Sequence, residues 1–179
     1  MSDSAPSTDI SASIPDWIRE SKPRWAWQPS KSLLASIRDY QRYRNAGSRT
    51  RAGFAVLRHR FWSVVTGADI PLNCQLGGGL LIPHPNGIVI HPASTIGPNC
   101  LIFQQVTIGW QDGAVPVIGG HVDVGAGAKI LGNVRVGDHA RIGANAVVLD
   151  DVPAGTTAVG IPARALKRES NFVSSNSSQ

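Results

Sequence analysis

Between Ile70 and Val152 an aliphatic residue mostly returns at every sixth position, and a small residue often follows it four places later. Ile70, Leu76 and Ile82 open the series; Ile90, Ile96, Ile102 and Ile108 continue it, then Ile118, Val124, Ile130, Val136, Ile142 and Val148. A period this short leaves room for one strand-like stretch and a turn, which excludes a helical solenoid and predicts hexapeptide β-helix repeats. Three hexads make one coil. The aliphatic side chain points into a narrow core, and the small residue (Ser94, Cys100, Ala128, Ala140 or Ala146) sits at a crowded corner. Gly and Asn help the chain turn. Stacked coils then bury one another. The period alone does not fix the hand of the coil.

Upstream the spacing changes to that of helices. Leu33, Ile37 and Tyr40 recur at helical intervals, and Phe54, Leu57, Phe61 and Val64 do so again after the break at Gly47. The pattern divides the chain into an extension at 1–29, partly disordered or docking, a helical segment at 30–68, a β-helix at 69–162 and a tail at 163–179. Trp17, Trp25 and Trp27 crowd the extension, which suggests that it docks on this subunit or a neighbour. Ser170 to Gln179 has little to bury and reads as disordered.

Charge follows the same division. Residues 1 to 68 hold eleven Lys and Arg against five Asp and Glu, whereas the remainder holds six against seven. The excess comes mainly from Arg38, Arg42, Arg44, Arg49, Arg51, Arg58 and Arg60. The favoured reading is a helical pair docked on the first coil by its apolar stripes with a solvated basic face; a patch for weak association with a membrane surface or for an anionic substrate is the alternative. No recognition motif points to nucleic acid. No apolar run reaches the roughly 18 residues that cross a bilayer, and no basic start precedes an apolar block, so the expected location is cytoplasmic. Cys74 and Cys100 occupy small-residue positions and match no metal-ligand spacing, so both read as packed thiols and no metal is expected.

The strict period breaks twice, and a regular solenoid has reason to break it only for a site or an interface. The interval from Ile82 to Ile90 is eight residues and contains Pro83, His84, Pro85, Asn86 and Gly87. The interval from Ile108 to Ile118 is ten and contains Trp110, Gln111 and Asp112. The two can meet within one subunit or across a subunit contact.

Five stretches in order carry a resemblance: His84-Pro-Asn-Gly-Ile-Val, Gln104-Gln-Val-Thr-Ile-Gly, Gly125-Ala-Gly-Ala-Lys-Ile-Leu-Gly-Asn, Ile142-Gly-Ala-Asn-Ala-Val-Val and Val159-Gly-Ile-Pro-Ala-Arg. Over about residues 67 to 168 the chain resembles serine acetyltransferases of the hexapeptide acyltransferase superfamily. The resemblance implies a left-handed parallel β-helix, a homotrimer and acetyl-CoA bound in a groove between subunits. It implies His84 as the general base toward an acceptor hydroxyl and Asp69 as the carboxylate that orients the ring. Histidine suits the role because imidazole titrates near neutrality. The hydroxyl attacks the thioester directly, so no serine or cysteine nucleophile is needed, and backbone N–H groups can stabilise the oxyanion. Gly109, Ala126 and Ala144 match groove positions where small side chains admit the pantetheine arm. Arg164, Lys167 and Arg168 could meet the nucleotide phosphates. Asn86, Gln104, Trp110 and Asp112 are the candidate acceptor-binding residues.

The chain also departs from that family. Pro83 precedes His84 where the family carries Asp, and Ala114-Val115 precede Pro116 where it carries Arg-His. The head is also much shorter. Neither Ala nor Val can supply the paired donors of an Arg to an amino-acid carboxylate. The expected function is therefore acetyl transfer from acetyl-CoA to a hydroxyl of a sugar or polysaccharide precursor. Serine O-acetylation is the alternative, and a catalytically silent trimeric scaffold is a second.

Overall fold

The computed structural model describes residues 10–23 and 25–166; Lys167, Arg168 and the closing Ser/Asn run lie outside the described residues. A single 3₁₀ turn at Trp17–Glu20 precedes helices α1 (Pro29–Asn45) and α2 (Arg49–Thr66). Short strands follow: β1 (Gln75–Leu76), β2 (Val89–Ile90), β3 (Thr95–Ile96), β4 (Leu101–Ile102), β5 (Thr107–Gly109), β6 (Val117–Ile118), β7 (Asp123–Val124), β8 (Lys129–Leu131), β9 (Arg135–Val136), β10 (Arg141–Ile142), β11 (Val147–Val148), β12 (Thr157–Gly160) and β13 (Ala163–Leu166).

Strands one coil apart stack on one another. The first face of the resulting prism runs β2-β5-β8-β11, the second β1-β3-β6-β9 and the third β4-β7-β10-β12, all parallel. Isolated bridges extend the faces: Asp69 pairs with Val89, Leu81 with Leu101 and Val136 with Val152. These registers complete five coils. The hexad residues line one continuous core, from Ile70 at 0% exposure through Ile108 at 0% to Val152 at 4%. The small residues Ser94, Cys100, Ala128, Ala140 and Ala146 are all fully buried beside them.

Two of the prism's edges are ladders of left-handed residues. Gly67, Gly87, Gln105, Gly127 and Asn145 stack where the third face turns into the first, and Gly79, Asn99, His121, His139 and Gly155 where the second turns into the third. Each takes φ between 51 and 77°, a region that Gly, Asn and His enter more cheaply than other residues. The amide of each coil bonds to the coil above, as from Asn99 N to Gly78 O at 2.8 Å and from His121 N to Pro98 O at 2.7 Å. Stacking is tight. A Cβ on Gly97 would lie 2.5 Å from the carbonyl carbon and oxygen of Gly119 on the next coil.

The head attaches through a few directed contacts. Leu33, Leu34 and Ile37 of α1 are buried in the core cluster. Arg38 grips Glu20 through Nε and Nη2 and donates to the carbonyls of Leu76 at 2.6 Å and Gly77 at 2.7 Å. Glu20 also accepts from Leu80 N. Upstream, the extension runs along the edge between the second and third faces as a strap. Asn99 fixes it, accepting from Asp16 N at 2.8 Å and donating to Ser11 O at 2.7 Å and Ile14 O at 2.8 Å.

Two expectations need correction. Phe54, Leu57, Phe61 and Val64 do not pack on the first coil; they are 55 to 84% exposed, while Trp62 packs against the core and His59 Nε2 lies 2.9 Å from Ile70 O. The stripe faces away because α1 already covers the coil. The tail expected from residue 163 begins as a strand: β13 pairs antiparallel with β12, from Ala163 opposite Gly160 to Leu166 opposite Thr157. That pairing gives the last strand of the third face a partner.

Candidate active site

The eight-residue interval forms a bulge at the edge between the third and first faces. Its tip is held from both sides: Gly87 N donates to Gly67 O at 2.8 Å and Gln105 N donates to Asn86 O at 2.9 Å. His84 stands exposed on this bulge between two prolines, and its ring makes no hydrogen bond among the described residues. Prolines fix φ on both sides of it, which limits how far the bulge backbone can rearrange.

Asp69 begins the first face one coil above. Asp69 N donates to Ile88 O at 2.8 Å and Asp69 O accepts from Ile90 N at 3.0 Å. The backbone thus places Asp69 and the bulge on adjacent coils at the same edge, while no hydrogen bond joins the Asp69 carboxylate to His84 in the single chain.

Below the bulge the same edge is lined by the motif residues. Gln104 O accepts from Gly127 N at 2.9 Å and Ala126 O accepts from Asn145 N at 2.8 Å, so Asn86, Gln104, Ala126 and Ala144 descend in order. Gln104 Oε1 is buried without a partner. An orphaned buried acceptor carries a cost that a ligand donor can remove. Lys129, on the outer surface of the first face, donates through Nζ to Gln105 O at 2.7 Å. The sequence reading missed this residue. Its signal was available, because Lys129 is the one Lys or Arg between residues 69 and 134.

The ten-residue interval builds a hairpin at the other edge of the first face. Gln111 and Ala114 exchange hydrogen bonds of 3.0 and 3.1 Å across Asp112 and Gly113, whose φ values are 51 and 84°. Left-handed residues at both central positions make a type I′ turn, for which Asp-Gly is a preferred pair. Trp110 is 60% exposed at its base, and Gly109 ends β5 beside it. The hairpin and the bulge are separated by the width of the first face, about five extended residues or roughly 17 Å. Within one chain the structure therefore does not bring Gly109, Trp110 and Asp112 to His84.

Remaining candidates sit apart. Arg164 is held in an exposed pair with Asp150 at 2.8 Å, and Lys167 lies outside the described residues. His91 caps its own turn, accepting from Ala93 N at 3.2 Å, and His121 meets His139 through Nδ1 atoms 2.8 Å apart on another edge. Cys74 and Cys100 are buried free thiols. Burial, reinforced by the Asp69 charge, pushes the Cys74 thiol up to about 12, and burial pushes Cys100 up to about 11, so neither is a thiolate nucleophile at neutral pH.

Residues 116–150 match the family described as bacterial transferase hexapeptide (six repeats). The prism resembles the hexapeptide-repeat domains of serine acetyltransferases. A serine acetyltransferase of Synechococcus elongatus is 46% identical over 109 residues, which cover 59% of this chain and 45% of that protein. One from Staphylococcus epidermidis is 44% identical over 108 residues, 58% of this chain and 51% of its own. A serine acetyltransferase structure in complex with CoA superposes with TM-score 0.68 at 37% identity, covering 78% of this chain and 58% of the other. The soybean enzyme complexed with serine gives 0.67 at 35%, covering 78% and 58%. The fold is thus the left-handed parallel β-helix expected from the motifs. The chain spans about half the length of the curated relatives it matches. These relatives are named for serine, not for the sugar or polysaccharide acceptor expected from the sequence.

Proposed function

We propose that this protein is an acetyl-CoA-dependent O-acetyltransferase that acts by direct transfer, with serine as the first acceptor to test. The observation that carries the reading is the placement of an exposed imidazole on a bulge directly above an edge of small residues with an orphaned Gln104 oxygen. In this reading His84 takes the proton of the acceptor hydroxyl as its oxygen bonds to the thioester carbonyl. The carbon–sulfur bond then breaks, and His84 returns the proton to the departing sulfur. Asp69 orients the ring once a neighbour or substrate closes the edge. Ala126 and Ala144 leave room for the pantetheine arm, while Lys129 and Arg164 offer charge to its phosphates.

A homotrimer completes the site in this proposal. With the first face turned toward a threefold axis, the bulge edge of one subunit meets the hairpin edge of the next, as a heterologous ring interface requires. Trp110 and Asp112 then act on the neighbour's His84.

A sugar hydroxyl is the second reading, and one observation favours it: the hairpin presents Ala114 and Val115 where the resembled family has Arg-His, so no guanidinium stands there for a carboxylate. The test is thiol release from acetyl-CoA with L-serine, then with hexoses, amino sugars and nucleotide sugars. Serine-dependent release supports the first reading, and release with sugars alone transfers the assignment to the second. In either case His84→Ala is expected to lower kcat by about 10²- to 10⁴-fold, the usual contribution of a positioned general base. Turnover unchanged in His84→Ala removes His84 from the reaction.

A further inference from the structure

Helix α2 has two apolar faces, and the fold uses one. Ala55 and Thr66 are buried and Trp62 packs on the core. At about 100° per residue, Leu57 and Val64 point nearly opposite to Ala55 and Thr66, with Phe61 and Phe54 beside them. These four are 62, 84, 55 and 70% exposed. The same angles place Arg49 and Arg60 along one border of the stripe and Arg51 and Arg58 along the other. Helix α2 contains no Asp or Glu. Trp27, 71% exposed, extends the apolar surface, with its ring 5.4 Å from that of Trp62, which lies 5.0 Å from Phe61.

Charge decides what such a surface fits. Among the described residues Asp39 is the one carboxylate that reaches it, accepting from Arg58 and Arg42 at 2.8 Å each. Among the described residues Arg49, Arg51 and Arg60 have no carboxylate partner. A second copy of α2 laid on the stripe would set arginine borders against arginine borders with no acid on either helix. A phosphate-bearing lipid surface answers both features at once, because its acyl boundary takes the aromatic and aliphatic side chains while its headgroups meet the guanidiniums. No helix among the described residues is long and apolar enough to cross a membrane, so the helix would lie on the bilayer.

We propose that α2 is an interfacial helix that seats this protein on bilayers containing anionic lipid, with Phe54, Leu57, Phe61 and Val64 in the headgroup–acyl boundary. The test is co-sedimentation of the full chain with vesicles of phosphatidylcholine alone and with about 30% phosphatidylglycerol, in about 0.1 M salt. Preferential binding to the anionic vesicles is expected. Each arginine near such a surface changes partition about fivefold, so Arg49→Gln with Arg60→Gln should lower it about 25-fold. Leu57→Ser with Phe61→Ser should abolish it. These side chains are exposed, so circular dichroism melts should match wild type; should the apolar variant unfold, the arginine variant decides. Absence of binding, equal binding to neutral vesicles, or variants that bind as wild type would overturn the proposal. So would a lipid-free assembly larger than that of Leu57→Ser/Phe61→Ser, which would assign the stripe to a second copy.

Discussion

Asn99 is where a single side chain ties the N-terminal strap to the prism, and its removal has a calculable cost. The residue is 1% exposed at φ 60° and makes three side-chain hydrogen bonds, to Asp16 N, Ser11 O and Ile14 O. At about 0.5–1.5 kcal/mol net per bond, the three amount to about 1.5–4.5 kcal/mol. The strap groups released by the change lie near the surface and can bond to water, which places Asn99→Gly toward the lower end, about 2 kcal/mol. Asn99→Ala adds the cost of a Cβ in the left-handed region, about 1 kcal/mol more. Asn99→Asp tolerates that region but turns a second acceptor toward two carbonyls, so it should also fall below Asn99→Gly. Urea unfolding at one fixed protein concentration gives the order, and limited tryptic proteolysis after Arg19 reports release of the strap. Asn99→Gly within about 0.5 kcal/mol of wild type, with cleavage unchanged, would refute the reasoning.

Gly97→Ala forces its new Cβ against backbone of the next coil at 2.5 Å, and should cost at least about 3 kcal/mol in a thermal melt because no flexible side chain can yield. Gly53→Ala in α2 meets nothing within 4 Å and should stabilise by about 0.5–1 kcal/mol, through helix propensity and a less free unfolded chain. The two cysteines should resist Ellman's reagent at pH 8 until the protein is denatured. Their folded values, about 12 and about 11, exceed the ordinary 9.0, so the stability that their neutral forms contribute is whole below about pH 9 and is lost as pH rises toward 11 and 12. Rapid labelling of the native protein at pH 8, or a urea midpoint that rises above pH 9, would contradict that sign.

Much of this architecture could be read without coordinates because a hexad repeat makes each coil depend only on its neighbours. The register of Ile70 through Val148, the burial of Ser94 and Ala128, the two breaks and both helix positions follow from local spacing. The Asp112-Gly113 pair carried a hairpin signal that the sequence reading missed, since that pair prefers φ above zero at both positions. What spacing could not show is which edge of the prism each break occupies. Insertions of two and of four residues look alike in sequence, yet one falls before the first face and the other after it, so His84 and Trp110 stand at opposite edges of the same face. Helical spacing likewise marked Phe54, Leu57, Phe61 and Val64 as one face of α2, but not the direction of that face. A periodic pattern records which side chains lie together, whereas the docking partner is a competition among distant surfaces. Here α1 wins the first coil through Leu33, Leu34 and Ile37, and α2's aromatic stripe is left facing outward.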